Sequence, residues 1–287
     1  MKRFSMDDYD KVIQFLIELS EENRYHINWN WARFEWMIGH PYTNIEEINK
    51  IGLWYMDDRI VGAAIYDMYF GEAAILTLKK YEYLYPEIIN YAYDNLKDEN
   101  GLGIAIYDKD NSLINVAKNN GFNIFEQQEN IMDIMLDKDY KYILPNGIRI
   151  EAFDPSTNID EFLYLMWQGF NHGSNYDEFL NSDDAKLKGR PRTHFNKNLS
   201  LVAKNEKNEM VAYISLWYME DTNYAYLEPV CTIPAYRGLG IAKALIYEGL
   251  NRVKKLGAEI VYVESDMNFY EKIGFKHKFH YDFYWKK

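Results

Sequence analysis

Residues 226–242 read Tyr226-Leu227-Glu228-Pro229-Val230-Cys231-Thr232-Ile233-Pro234-Ala235-Tyr236-Arg237-Gly238-Leu239-Gly240-Ile241-Ala242. A strand ends, prolines mark a turn, and glycines open an amphipathic helix. Within Leu239 to Leu256, Ile241, Leu245, Val253 and Leu256 recur at near-helical spacing, and Gly257 supplies the C-terminal cap. The first N–H groups of a helix have no intrahelical partner, and the helix dipole places partial positive charge there. Glycines at such a turn let an anion approach the backbone, which is the physics of a pyrophosphate cradle. A Walker A loop would need Gly-Lys-Ser/Thr, but Lys243 is followed by Ala244. The dinucleotide fingerprint starts at Gly238 and Gly240 and then meets Lys243 where its third glycine belongs. The segment from Arg237 to Lys255 holds five basic residues against one acid, which favours an anionic ligand.

Around this segment the chain repeats one plan. Leu53 to Met56, a polar turn at Asp57-Asp58-Arg59, and Ile60 to Tyr66 read as a hairpin. Leu201 to Lys204 and Met210 to Leu216 repeat it, so Gly62 matches Ala212, 150 positions on. Phe15-Leu16 matches Phe162-Leu163, and Gly121-Phe122 matches Gly274-Phe275. A duplicated unit follows. The Pro145-Asn146-Gly147 turn separates a first domain at 1–143 from a second at 146–287. Each reads helix, hairpin, strand, helix, strand, helix, strand. The fold class is α/β: mixed central sheets, antiparallel first and βαβ later, flanked by helices.

Length and composition agree, since 287 residues with 48% hydrophobic and 26% charged content suit two globular domains. With a mean hydropathy of −0.45, every apolar run is broken within a few residues, so no bilayer span is expected. Asp7, Asp8 and Asp10 stand where a signal peptide needs an apolar core, and the expected location is cytoplasmic. Cys231, the only cysteine, excludes an intrachain disulfide and a cysteine-built zinc site. His172 and His194 show no metal-ligand spacing, so no metal is expected. A net charge of −12 would repel a phosphate backbone, which argues against nucleic acid as a partner.

Arg237-x-x-Gly240-x-Ala242, after a strand and Pro234-Ala235-Tyr236, resembles the acyl-CoA signature of the GNAT superfamily of N-acetyltransferases. Asn268-Phe269-Tyr270-Glu271-Lys272-Ile273-Gly274-Phe275 resembles its second hallmark, a helix closing with Tyr-x-x-x-Gly-Phe. The resemblance implies two tandem GNAT-like domains and acetyl-CoA as the acyl donor. The pantetheine arm would lie between two splayed parallel strands, against the backbone of Val230, Cys231 and Thr232. Its pyrophosphate would sit near Arg237, on the N–H groups of Gly238, Leu239, Gly240, Ile241 and Ala242, with Asn268 also at the cofactor. A small-molecule primary amine would attack the thioester directly, and Tyr270 would protonate the departing thiolate.

Glu228 is the candidate base by position, since it shares strand parity with Val230 and Thr232. A water chain is the alternative. Cys231, of opposite parity, reads as a packing residue. Acceptor binding would fall between the first helix and the hairpin, on Trp167 to Gly173 through Arg190 to His194. The first half departs from the pattern: no glycine lies between Gly71 and Gly101, tyrosines crowd residues 81–85, and Ala117 stands where Tyr270 does. It reads as a degenerate GNAT-like domain. The expected protein is a monomeric or homodimeric N-acetyltransferase. The competing reading is a non-catalytic acyl-CoA sensor, which would not need the proton donor at Tyr270. Aminoacyl transfer from tRNA on tandem GNAT folds is a third, but it has no use for the CoA cradle.

Overall fold

The computed structural model describes residues 1–40, 43, 45–181 and 193–287. Two compact units divide the chain: residues 1–132, 264–267 and 277–287 form the first, and 133–263 with 268–276 the second.

In the first unit, β1 (Lys2–Arg3), β2 (Gly52–Met56), β3 (Arg59–Asp67) and β4 (Tyr69–Thr77) run antiparallel in sequence order, and β5 (Leu102–Tyr107) joins β4 in parallel. The β2–β3 turn is two residues long, and both Asp57 and Asp58 take positive φ, the geometry that matches hairpin twist. Helices α1 (Tyr9–Glu22), α2 (Trp31–Gly39), α3 (Tyr85–Leu96) and α4 (Asn111–Asn119) accompany the sheet. Asn30 starts α2 by accepting the N–H groups of Ala32 and Arg33 on its side chain. Trp29 and Trp31 beside it are buried. Strand β6 (Asn123–Met135) follows α4.

The second unit carries β7 (Arg149–Ala152), β8 (Ser200–Lys204), β9 (Met210–Tyr218) and β10 (Tyr224–Thr232), antiparallel, and then β11 (Ile260–Glu264), parallel to β10. The expected strand at 224–232 is β10 itself. Helices α5 (Ile159–Gly169), α6 (Tyr176–Leu180), α7 (Ile241–Lys255) and α8 (Asn268–Lys272) complete it. Strand alternation sorts the core into two layers. Phe162 and Leu165 of α5 pack with Val202, Tyr213 and Cys231 on one face. Helix α7 covers the other, where Gly249 lies against Leu216, Ile214 and Leu201.

The duplicated pattern divides the sequence at 143 and 146, whereas the packed units interleave. Residues just before the Pro145 turn already pack in the second unit. Leu136 donates to Glu259 O at 2.8 Å, and Asn251 bonds both the N–H and the C=O of Tyr140. The final strand β12 (Lys276–Lys286) pairs antiparallel with β5, from Tyr281↔Tyr107 to Lys286↔Leu102. Its Tyr281, Phe283 and Tyr284 are buried, so the first unit's sheet is finished by the end of the chain.

Candidate active site

The site is built on β10. One edge pairs with β9 as far as Thr232↔Ala212, with a bulge between Leu227 and Val230. The other edge pairs with β11 only from Tyr224↔Ile260 to Tyr226↔Tyr262. Beyond Tyr226 no strand pairs that edge among the described residues, so the backbone from Val230 to Thr232 borders an open gap. Pro229, without an N–H, sits in the bulge, where a ladder bond is not required. Trp217 Nε1 donates to Glu228 O at 2.8 Å and pins the bulge from β9. Glu228 would share parity with Val230 and Thr232 only along an unbroken strand, and the bulge interrupts β10 between them. Exposure nevertheless alternates: Glu228, Val230 and Thr232 are half-buried, while Pro229 and Cys231 are buried.

Tyr270 on α8 meets Glu228 electrostatically. Burial pushes the phenol well above its usual range, and the Glu228 carboxylate pushes it further the same way. The ring lies edge-on to Phe269 and Phe275, and Tyr270 O accepts the Phe275 N–H at 3.0 Å. Tyr247 of α7 donates to Ile273 O at 3.0 Å, which ties the α8 turn to the helix beneath it. Asn268 is exposed at the start of α8.

After β10, a 3-10 turn (Pro234–Tyr236) leads to Gly238 and Gly240, with φ of +74° and +82°. The first backbone bond of α7 runs from Ala244 N–H to Gly240 O at 3.0 Å. The N–H groups from Gly238 to Lys243 therefore make no backbone hydrogen bond among the described residues. A Cβ built at Gly238 or Gly240 would meet nothing within 4 Å, so the space over these groups is open. The buried Thr232 Oγ1, at the end of β10, has no hydrogen-bond partner among the described residues. Free donors, open space and an unsatisfied hydroxyl fit an anionic ligand with an amide-bearing arm.

Three of the five basic residues at 237–255 are engaged within the protein rather than offered to a ligand. Arg252 pairs with Glu248 at 2.8 Å and Lys254 with Asp139 at 2.9 Å, while Arg237 is held by backbone carbonyls. Of the five basic residues, exposed Lys243 is the one in the first turn of α7. Cys231 is a packing residue: burial pushes its thiol up to about 12, and Sγ lies 3.8 Å from Met166 Sδ. Trp167, His172, Tyr176 and Phe179 form a ring cluster where the acceptor segment was expected, with Trp167 stacked on Phe179 at 5.0 Å. Arg190, Pro191 and Arg192 lie outside the described residues. Trp217 and Tyr247 shape the site without a sequence signal, and Gly169 lies in the expected acceptor segment but acts through its close packing on Cys231. Among the described residues, no group of three or more His, Cys, Asp or Glu could hold a metal.

The first unit has the same local turn without the same groups. Phe122 N–H bonds Ala117 O at 3.1 Å, as Phe275 bonds Tyr270, and Gly121 and Gly274 both take positive φ. At the head of α3, however, stands fully buried Tyr85, whose hydroxyl lies 3.4 Å from Asp110 Oδ2.

Residues 161–275 match the family described as Acetyltransferase (GNAT) family. This segment is a GNAT-family domain. An uncharacterized N-acetyltransferase of Escherichia coli K12, YhbS, is 29% identical over 108 residues, covering 36% of this chain and 65% of that protein. The similarity thus spans less than two thirds of that relative. The tandem GNAT protein from the clavulanic acid biosynthesis pathway superposes with a TM-score of 0.64 at 12% identity, over 100% of this chain and 96% of that one. A GCN5-related N-acetyltransferase from Sphaerobacter thermophilus gives 0.58 at 15% identity, over 99% and 94%. The whole chain therefore has the tandem GNAT fold, and no helix among the described residues is long and apolar enough to cross a membrane.

Proposed function

We propose that the second unit is an acetyl-CoA-dependent N-acetyltransferase acting on a primary amine of a small molecule. The observation that carries this reading is the unpaired edge of β10 running into the free N–H groups of Gly238 to Ala242, with Tyr270 and Glu228 electrostatically coupled alongside. The donor supplies the thioester, and its pantetheine arm fits the backbone of Val230 to Thr232. The N–H groups from Gly238 to Ala242 hold the pyrophosphate without a dedicated side chain. Glu228 takes the proton from the acceptor ammonium, directly or through one water. Tyr270 keeps its proton across the working pH range, because burial and the nearby carboxylate both disfavour the phenolate, and it can deliver that proton to sulfur.

A panel of amines with thiol release as readout tests the activity. Tyr270→Phe keeps the ring contacts and should lower kcat by about 100-fold or more with little change in acetyl-CoA affinity. Glu228→Gln should lose rate mainly below the acceptor's pKa. No falling limb from Tyr270 should appear in the kcat profile below about pH 10. Tight acetyl-CoA binding with no turnover of any amine would sink the enzyme reading in favour of a sensor. Full kcat in Tyr270→Phe would reduce Tyr270 to packing.

A further inference from the structure

We propose that Arg237 is a positioning residue that brackets the phosphate loop to the end of α5, rather than a phosphate ligand. The proposal deepens the acetyltransfer reading and rests on it for its kinetic consequence, not for its structural one.

Arg237 Nη2 donates to Gly169 O at 2.8 Å, and Nε donates to Thr232 O at 2.9 Å. One guanidinium thus joins the last residue of α5 to the last residue of β10, from within the turn between β10 and α7. The two carbonyls need different things. Gly169 O belongs to a helix C-terminus, where carbonyls lack intrahelical donors and the dipole is negative, so a cation there is favourable. Thr232 O lies where β10 leaves the sheet for the loop. The planar fork of Arg serves both at once, whereas the point charge of Lys has no such fixed geometry. The side chain is exposed, so burial does not enforce these bonds. The backbone of Arg237 is also committed, its N–H donating to Pro234 O at 3.3 Å. The free donors begin at the next residue, Gly238.

Independent packing supports the bracket. A Cβ at Gly169 would stand 2.7 Å from Cys231 Cβ and 2.8 Å from its Sγ, so α5 approaches β10 as closely as backbone allows. Phe170 N–H then closes the helix onto Met166 O at 3.0 Å, and the chain continues to His172, Tyr176 and Phe179. The segment that carries this ring cluster leaves α5 at the carbonyl that Arg237 holds. Releasing the guanidinium should loosen the phosphate loop and the start of that segment together, a coupling that a phosphate ligand would not produce.

Hydrogen exchange on the free protein and kinetics with two donors test this in Arg237→Ala and Arg237→Lys. Exchange of the Phe170 amide, bonded to Met166 O, and of the Tyr236 and Ala244 amides, bonded to Ile233 O and Gly240 O at the two ends of the loop, should rise together in Arg237→Ala by about 10-fold, the scale of one hydrogen bond to a charged group. The KM for the amine should rise several-fold with acetyl-CoA and equally with S-acetylpantetheine, which has no pyrophosphate. Arg237→Lys should recover part of both effects. A loss confined to acetyl-CoA affinity, with S-acetylpantetheine kinetics and exchange unchanged, would make Arg237 a phosphate ligand and overturn the proposal. If the wild type turns over no amine, exchange alone still decides the bracket, and the failure belongs to the acetyltransfer reading.

Discussion

Gly240 has a φ of +82° immediately before α7, a region that costs a side-chain-bearing residue about 1–2 kcal/mol. Nothing in the protein stands within 4 Å of a Cβ there, so substitution brings backbone strain without a clash. Gly240→Ala should therefore fold with a slightly lower Tm while losing acetyl-CoA affinity by 10-fold or more, about 1.4 kcal/mol. Thermal melting and titration calorimetry separate the two effects. A lower Tm with undiminished affinity would show that the cradle is not at this turn. Cys231 illustrates the opposite kind of residue. Its chemistry is silenced by burial, and it serves the site through its backbone and its packing against Gly169.

Helices α5 and α7 pack on opposite faces of the second unit's sheet, each with a glycine at its close approach, Gly169 of α5 against β10 and Gly249 of α7 against β9. Under α7, a Cβ at Gly249 would stand 2.3 Å from Leu216 Cδ1 and 3.1 Å from Ile214 Cδ1. Alanine in a helix gains about 1 kcal/mol over glycine, but overpacking a closed core costs about 1–3 kcal/mol. The clash wins clearly once the side chain branches. Gly249→Val should lower the urea midpoint by about 1–3 kcal/mol of stability with an unchanged m-value. A variant as stable as the wild type would mean that α7 can lift off β9 freely, and the gap beside β10 would then not be rigidly set by α7.

Across the whole molecule, two units of related local design differ in what stands at the head of the helix after the fourth strand. The second unit presents Gly238 and Gly240 there, and the first presents a buried Tyr85. Titration should give one acetyl-CoA per chain, and two equal sites would remove the basis for calling the first unit degenerate. The C-terminal strand sets a second expectation. Because β12 pairs with β5, a chain ending at Phe275 should lose protection from exchange first in β5 and α4 of the first unit. If β7 to β10 opened first instead, the assignment of β12 to the first unit would be wrong.

Local physics made much of this protein legible in its sequence. The hairpin at 53–66 follows from a polar turn between apolar strands, with Arg59 pairing against Met56 rather than lying in the turn. The bounds of β10 follow from an apolar run, and the start of α7 from glycines that admit positive φ. The turn at Gly274-Phe275 repeats the hydrogen bond of Gly121-Phe122, so the duplication also shows in local geometry. The bulge at Glu228 and Pro229 was not legible, because it depends on register against β9. Nor were the Trp217 and Tyr247 hydrogen bonds, which join residues that the chain brings together only on folding. The charge at 237–255 was visible, but its use was not: Asp139, Gly169 and Thr232 take up cations that sequence reading had offered to a ligand. The sequence by itself determined the elements, their duplication and the open turn before α7, since these rest on interactions a few residues apart. Only the tertiary structure decided that the last strand finishes the first unit and that Arg237 holds carbonyls, since long-range pairing goes to whichever edges and charges folding leaves unsatisfied.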